Sequence, residues 1–296
     1  MSDRLRASKS YALLLLVSVL GCKVSTSTSR ASASASASVA STAPTAPVKP
    51  TDVTFVRSVP KPGTKADQSM KTSVKFTLGG TVYRHDTESV ASIDVRAADE
   101  FRVTSAAIDV TTLVETSQRG TSPEKKTVNP LQGSRWVLSR SDGGAFSALT
   151  STGSPAGAMP VAELKEHFGD VVEKDKSLAF LPNRAVKIGE KIIPSQDAVL
   201  AMLGQKDDGK TTVDGVELVL SSADTSQATF DTSLTFTTKV DASTRLRAKL
   251  EGTIAVRPTN ALVTAVALSG PLTLLDAGGD EKGSGDMKVT GSLLTK

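Results

Sequence analysis

The sequence predicts a mainly β domain of the α+β class: one large curved antiparallel sheet or partial barrel with one or two short helices packed on it. Three observations predict it. Apolar residues recur with a period of two over long stretches. The positions between them in the C-terminal third are Thr, Ser, Asp, Arg and Lys, so one face of each strand is wet, as in antiparallel rather than buried parallel sheet. Aromatics make up only 4% and hydrophobics 39% of the 296 residues, so a core must lean on Val, Leu, Ile, Ala and Thr, a set rich in strand formers. Two sandwiched sheets are the alternative architecture.

Residues 1–9 form a basic segment, residues 10–20 (SYALLLLVSVL) a short apolar run, and Gly21-Cys22 follow at once. About ten apolar residues are too few to span a ~30 Å hydrocarbon layer, so a cleaved signal peptide is expected rather than a transmembrane helix. The motif Val19-Leu20-Gly21-Cys22 resembles the lipobox of bacterial lipoproteins, with Leu20 standing where that family more often has Ala or Ser. The resemblance implies cleavage between Gly21 and Cys22 and a diacylglyceryl group on the Cys22 sulfur, with palmitate-type acylation. Two or more acyl chains anchor a protein stably where one does not. Lys23 in place of Asp implies, by the same resemblance, the outer membrane rather than the inner one, with the domain facing the periplasm or exposed at the surface.

Residues 22–50 continue as a Ser/Ala/Thr tract ending in Pro-punctuated steps, read as a disordered tether with a reach of roughly 30 Å. Residues 51–296 then form a single β-rich domain. Its first strands are expected at Val53–Val56 and around Met70, Val74, Phe76 and Leu78, then over Ser89–Val95. In the run Phe101, Val103, Ile108, Val110, Val114 the apolar parity switches between 103 and 108, which one extra residue in a β-bulge explains. Arg135–Arg140 and Ala145–Thr150 continue the strands, with Trp136 as a core anchor. Val161–Lys174 places Val161, Leu164 and Phe168 on one helical face, with Gly169 ending it early. A second helix is expected from the Ser195 cap to Gly204, with Val199, Met202 and Leu203 inward. Beyond it, Val213–Leu220, the set Phe230, Leu234, Phe236, Val240, the set Leu246 to Val256, Ala261–Leu268 and Met287–Leu294 form a meander.

Between the helices, Leu181-Pro182-Asn183-Arg184-Ala185-Val186-Lys187-Ile188-Gly189-Glu190 is similar to an "L-P-x-x-x-V-x-x-G-[DE]" element of uncharacterised bacterial lipoproteins and β-rich secreted domains. That resemblance implies a turn leading into a strand and brings no active site.

Little in the sequence points to catalysis. The single cysteine falls at the signal boundary, which excludes disulfides and thiol chemistry inside the domain. There are two histidines. His85 with Asp86 and Glu88 is read as a solvated turn, with an acid–base or ligand cluster as the alternative. His167 beside Glu163 and Glu166 is read as a salt-bridged helix surface. No Gly-x-Ser-x-Gly elbow and no phosphate loop occur. Asp276 to Asp286 lacks EF-hand spacing and reads as a hairpin loop. No catalytic residue, metal or cofactor is therefore expected. Removing residues 1–21, which carry Arg4, Arg6 and Lys9 against Asp3, lowers the net charge from +4 to +2, and no basic stripe remains to suggest nucleic acid.

The expected function is that of a membrane-anchored envelope lipoprotein, not an enzyme, whose domain binds or carries a hydrophobic ligand. Val199, Met202, Leu234, Phe236, Leu250 and Ile254 are the candidate lining. The alternative is a structural or protein-interaction lipoprotein that meets an envelope protein and takes no small ligand. An envelope hydrolase ranks third.

Overall fold

The computed structural model describes residues 52–56, 58–172, 181–202 and 210–296. The short strand β1 (Asp52–Val53) comes first. Then follow β2 (Lys65–Leu78), β3 (Thr81–Ala98), β4 (Val103–Arg119), β5 (Lys125–Val128), β6 (Ser134–Arg140) and β7 (Phe146–Thr150). Helix α1 (Ala158–Phe168), β8 (Val186–Lys187), β9 (Lys191–Ile192) and helix α2 (Gln196–Met202) form the middle of the chain. The last third is β10 (Thr211–Ala223), β11 (Ala228–Lys239), β12 (Thr244–Arg257), β13 (Leu262–Asp276) and β14 (Glu281–Thr295).

Twelve strands form one antiparallel sheet in the order β7-β6-β4-β3-β2-β14-β13-β12-β11-β10-β9, with β5 on the far end of β4. It is not closed into a barrel, and it is one sheet rather than two sandwiched ones. Two meanders, one from each end of the chain, meet where β2 pairs β14 from Ala66↔Thr295 to Leu78↔Gly283. Outside the sheet, β1 and β8 form a two-stranded ribbon.

One face of this sheet is buried along its length. On β11, Ala228, Phe230, Thr232, Leu234, Phe236 and Thr238 are buried and alternate with exposed or half-buried neighbours. On β12, Leu246, Ala248 and Leu250 do the same, and Ile254 and Val256 keep the phase the sequence predicts although Ala255 between them is buried too. Ridding each such Leu, Ile, Val or Phe side chain of water contributes ~1.5–3 kcal/mol. Curvature enters where pairing is irregular. An extra residue at Thr104 sets Ala98↔Val103 against Ala97↔Ser105, the bulge expected between 103 and 108. The β12–β13 ladder skips the pairs between Ala248↔Leu272 and Glu251↔Ser269, where Gly270 and Pro271 sit. A Cβ on Gly270 would lie 2.0 Å from the Lys249 carbonyl oxygen, so only glycine lets the two strands approach this closely. Pro271, which has no N–H, falls in the same gap, where no ladder bond is lost.

Helix α1 starts three residues before the expected Val161, because Pro160 is tolerated in a first turn whose N–H groups have no intrahelical partner. Leu164 and Phe168 point into the N-terminal half of the sheet, and the chain tightens at Gly169 into a 3-10 turn through Val172. Helix α2 begins where expected, with the Ala198 N–H donating to Ser195 Oγ at 3.2 Å. Lys174, Leu203 and Gly204 lie outside the described residues. The strand expected over Val53–Val56 is shorter, and β5 was not anticipated because its KKTV sequence is exposed throughout and carries no apolar phase.

Candidate functional site

The C-terminal meander supplies the larger of two apolar clusters, rich in Phe and Leu and reaching Met70 and Val74 of β2 across the seam. Val199, Leu234, Phe236, Leu250 and Ile254, predicted as ligand lining, all lie in this cluster, each at most 2% exposed. They are brought together, but in a closed interior rather than an open groove. Met202 ends helix α2, and its side chain lies outside the described residues. Among the described residues the cover of this face is slight: Val53 and Phe55 beside the β1–β8 ribbon, Leu181, Val186 and Ile192, and helix α2 against β10. Phe55 packs on Phe230 with ring centroids 5.7 Å apart. The cover also shows apolar side chains to water, with Val56 54%, Ile188 41% and Ile193 69% exposed.

The Leu181–Glu190 element is the clasp of this cover. Leu181 and Val186 are buried, and Gly189 takes the positive φ of +82° that its turn requires. The Gly189 N–H donates to the Leu220 carbonyl at 2.7 Å, tying the turn to the end of β10. Glu190 accepts from the Lys187 N–H at 2.9 Å and pairs with Arg184, which together hold its carboxyl below the usual range. The conspicuous spacing of Leu, Val, Gly and Glu is thus that of two anchors, a turn and its brace.

At the seam the apolar face is interrupted. Tyr83, His85 and Thr87 of β3, Ser117 and Glu115 of β4 and Thr72 of β2 share the inner side, as the pairs His85↔Ser117, Thr87↔Glu115 and Thr72↔Thr87 require. Apolar residues surround Thr72: Met70 and Val74 precede and follow it in phase, with Val289 opposite on β14. His85 Nδ1 faces Glu115 Oε1 at 3.5 Å, with the two side chains 14% and 30% exposed. Burial lowers the His85 pKa against the opposing pull of Glu115 and Asp86, so the ring is held neutral. Three buried side-chain polar atoms lack any partner among the described residues: Thr72 Oγ1, His85 Nε2 and Thr87 Oγ1. All three fall in this one patch. Beside it the rings of Phe76 and Tyr83 stack at 5.0 Å, and Arg119 lies over Tyr83 at 5.6 Å.

His85 is therefore not in a solvated turn. It lies inside an 18-residue strand, and the alternation of that strand sends Asp86 and Glu88 to the opposite face. There Asp86 is bonded by Ser73 and Arg84, and Glu88 faces Lys71. On the inner face His85 stands in register between Val74 and Ser117, with Glu115 beside Nδ1 and Thr87 two residues along the strand, and of these only Thr87 is near it in sequence. The one signal of the patch in the sequence is a threonine at an inward position between Met70 and Val74. His167 does pair with Glu163, at 3.7 Å, but the imidazole is only 13% exposed and not a surface group. Glu163 also accepts from Asn129 Nδ2 at 2.8 Å, and burial lowers the His167 pKa. Trp136 packs half-buried on the N-terminal cluster, its Nε1 donating to Ser134 Oγ at 2.8 Å. Asp276–Asp280 is the β13–β14 hairpin turn, with Lys282 on Asp276 at 3.0 Å. Gly21 and Cys22 lie outside the described residues.

No family model matches the chain, and no curated protein matches it. Among solved structures it is similar to a lipovitellin chain, in a structure of lipid–protein interactions in that protein. The identity there is 10% and the TM-score 0.38, over 80% of this chain and 25% of the other. This chain thus spans about a quarter of that lipovitellin chain. It is also similar to DynF from the dynemicin biosynthesis pathway of Micromonospora chersina, at 8% identity and a TM-score of 0.21 over 83% of this chain and 91% of that one. Neither likeness assigns the chain to a family.

Proposed function

We propose that this chain is an envelope lipoprotein, held to the membrane by acylated Cys22, whose non-catalytic β domain takes up a hydrophobic ligand on the inner face of its open sheet. One observation carries the reading. Five successive strands, β10 to β14, present large apolar residues to one side of a single sheet, and among the described residues that side is covered by a ribbon of two-residue strands, a clasp and a seven-residue helix. A thin cover with exposed Val56, Ile188 and Ile193 is one that an apolar guest can displace at modest cost, since its own apolar side chains are only partly committed to the core.

The test is native mass spectrometry of the protein released from membranes, alongside palmitate labelling of wild type and Cys22→Ser. The proposal expects a bound hydrophobic species and label only in the wild type. Protein that carries neither adduct nor label overturns it. A bare but labelled protein that crosslinks to an envelope protein would instead establish the interaction-lipoprotein alternative.

A further inference from the structure

Two threonine pairs on the inner face make the same cross-strand contact with opposite outcomes. Thr211 and Thr238 are register partners on β10 and β11, both buried, and their hydroxyls bond each other at 2.9 Å. Thr72 and Thr87 are register partners on β2 and β3, equally buried, and neither hydroxyl has a partner among the described residues. Two residues along β3 on the same face, His85 Nε2 is also unpartnered. A buried polar atom left unpaired is costly, and three on one stretch of an otherwise apolar face, two on register partners and the third two residues along β3, call for a polar group as partner.

The chemistry of that group follows from the three atoms. The Glu115 carboxylate faces Nδ1, so the neutral ring carries its proton there and presents a lone pair at Nε2. Nε2 therefore requires a donor, while each threonine hydroxyl has a proton to give. A single hydroxyl supplies one donor and two acceptor lone pairs, which matches one imidazole nitrogen and two threonines. A carboxylate or phosphate has no proton for Nε2 and would meet the Glu115 charge across the ring. Around the seat, Met70, Val74, Met287 and Val289 continue into the apolar cluster, while the stacked Phe76 and Tyr83 border its other side.

We infer that Thr72, Thr87 and His85 form the seat for the hydroxyl head group of an uncharged, single-chain amphiphile whose hydrocarbon lies along the inner face of β14 to β11. This inference rests on the hydrophobic-ligand reading above and names the ligand class for the same face.

The test uses the delipidated full-length mature protein and three probes of equal chain length: 1-hexadecanol, hexadecyl methyl ether, which can accept but not donate, and palmitate. Retention of each is measured by equilibrium partition from detergent micelles, for wild type and for Thr72→Val, Thr87→Val and His85→Leu. Wild type is expected to hold the alcohol about ten-fold more tightly than the ether and than palmitate, the worth of one well-placed buried hydrogen bond. His85→Leu is expected to bind the ether as wild type does and to lose most of that preference, while Thr72→Val and Thr87→Val, which remove donors to either oxygen, are expected to weaken the alcohol and the ether alike. Threonine-to-valine changes remove an unpaired hydroxyl without changing shape, so folding is preserved and the comparison stays readable. Equal retention of alcohol and ether by wild type overturns the seat while leaving the hydrophobic-ligand reading intact. Undiminished preference in His85→Leu, unweakened retention of alcohol and ether by the threonine variants, or stronger retention of palmitate, overturns it equally. Retention of none of the three probes overturns the parent reading instead.

Discussion

The two meanders solve the same problem with different materials. The C-terminal one fills its inner face with Phe230, Phe236 and a run of leucines. The N-terminal one relies on smaller residues such as Ala91, Ala106 and Ala148, closed by Leu164 and Phe168 of helix α1. Both histidines of the chain belong to the N-terminal half, on β3 and on α1. A sheet face packed with small residues needs a helix laid directly upon it. A face of large residues needs less cover, and that difference makes the C-terminal half the place where we propose that a guest replaces the cover. The polar seat lies where the two halves meet.

Core truncation gives the largest expected effect. Phe236→Ala, in the fully buried C-terminal cluster, should cost ~3–5 kcal/mol in urea unfolding. Trp136, the single tryptophan, reports the N-terminal half, so its fluorescence transition should shift together with circular dichroism if the β2–β14 seam couples the halves. A Trp136 transition that does not move would split the molecule into two independent units.

Next in size is Gly270→Ala. The added methyl would collide with backbone, the Lys249 carbonyl carbon and Leu250 Cα as well as the oxygen, so relief requires the β12–β13 gap to widen. A loss of ~1–3 kcal/mol is expected in the same assay. Gly215→Ala on β10, two strands away from β12, meets nothing within 4 Å and serves as the control.

Acid should separate the halves. His85 and His167 both have lowered pKa values through burial, so the unfolded chain binds protons that the native one refuses. Stability from this source is complete above about pH 6.5 and is lost as the pH falls below it. Hydrogen exchange at pH 5.5 against pH 7.5 should therefore accelerate in β3, β4 and α1 while β11 to β13 stay protected. His85→Leu combined with His167→Leu should remove the difference.

The threonine pairs sharpen the comparison most finely. Thr211→Val breaks a satisfied pair and should cost about 1 kcal/mol. Thr72→Val removes an unsatisfied hydroxyl and should raise the stability of the ligand-free protein by a similar amount. Opposite signs in thermal melts support the assignment, and matching signs break it.

The strands were legible in sequence because period-two burial is written in the residue types, as Leu246 to Val256 shows without help from any partner strand. The bulge near Thr104 was legible for the same reason, as a change of phase. The seat was not. Thr72, His85 and Glu115 come together only through the register of β2 on β3 and β3 on β4, and His85 between two charged neighbours reads as a turn until strand alternation turns Asp86 outward. Nor could the pattern tell lining from core, because Leu234 and Leu250 carry the same signal whether a guest or a neighbour covers them.

The most direct measurement is isotope-edited NMR of the mature domain with 13C-labelled 1-hexadecanol. Contacts are expected from the carbinol methylene to the methyls of Thr72 and Thr87, and from the chain to Val74, Leu250 and Ile254. Contacts confined to Val56, Ile188 and Ile193, or to no residue of the inner face, would contradict the seat.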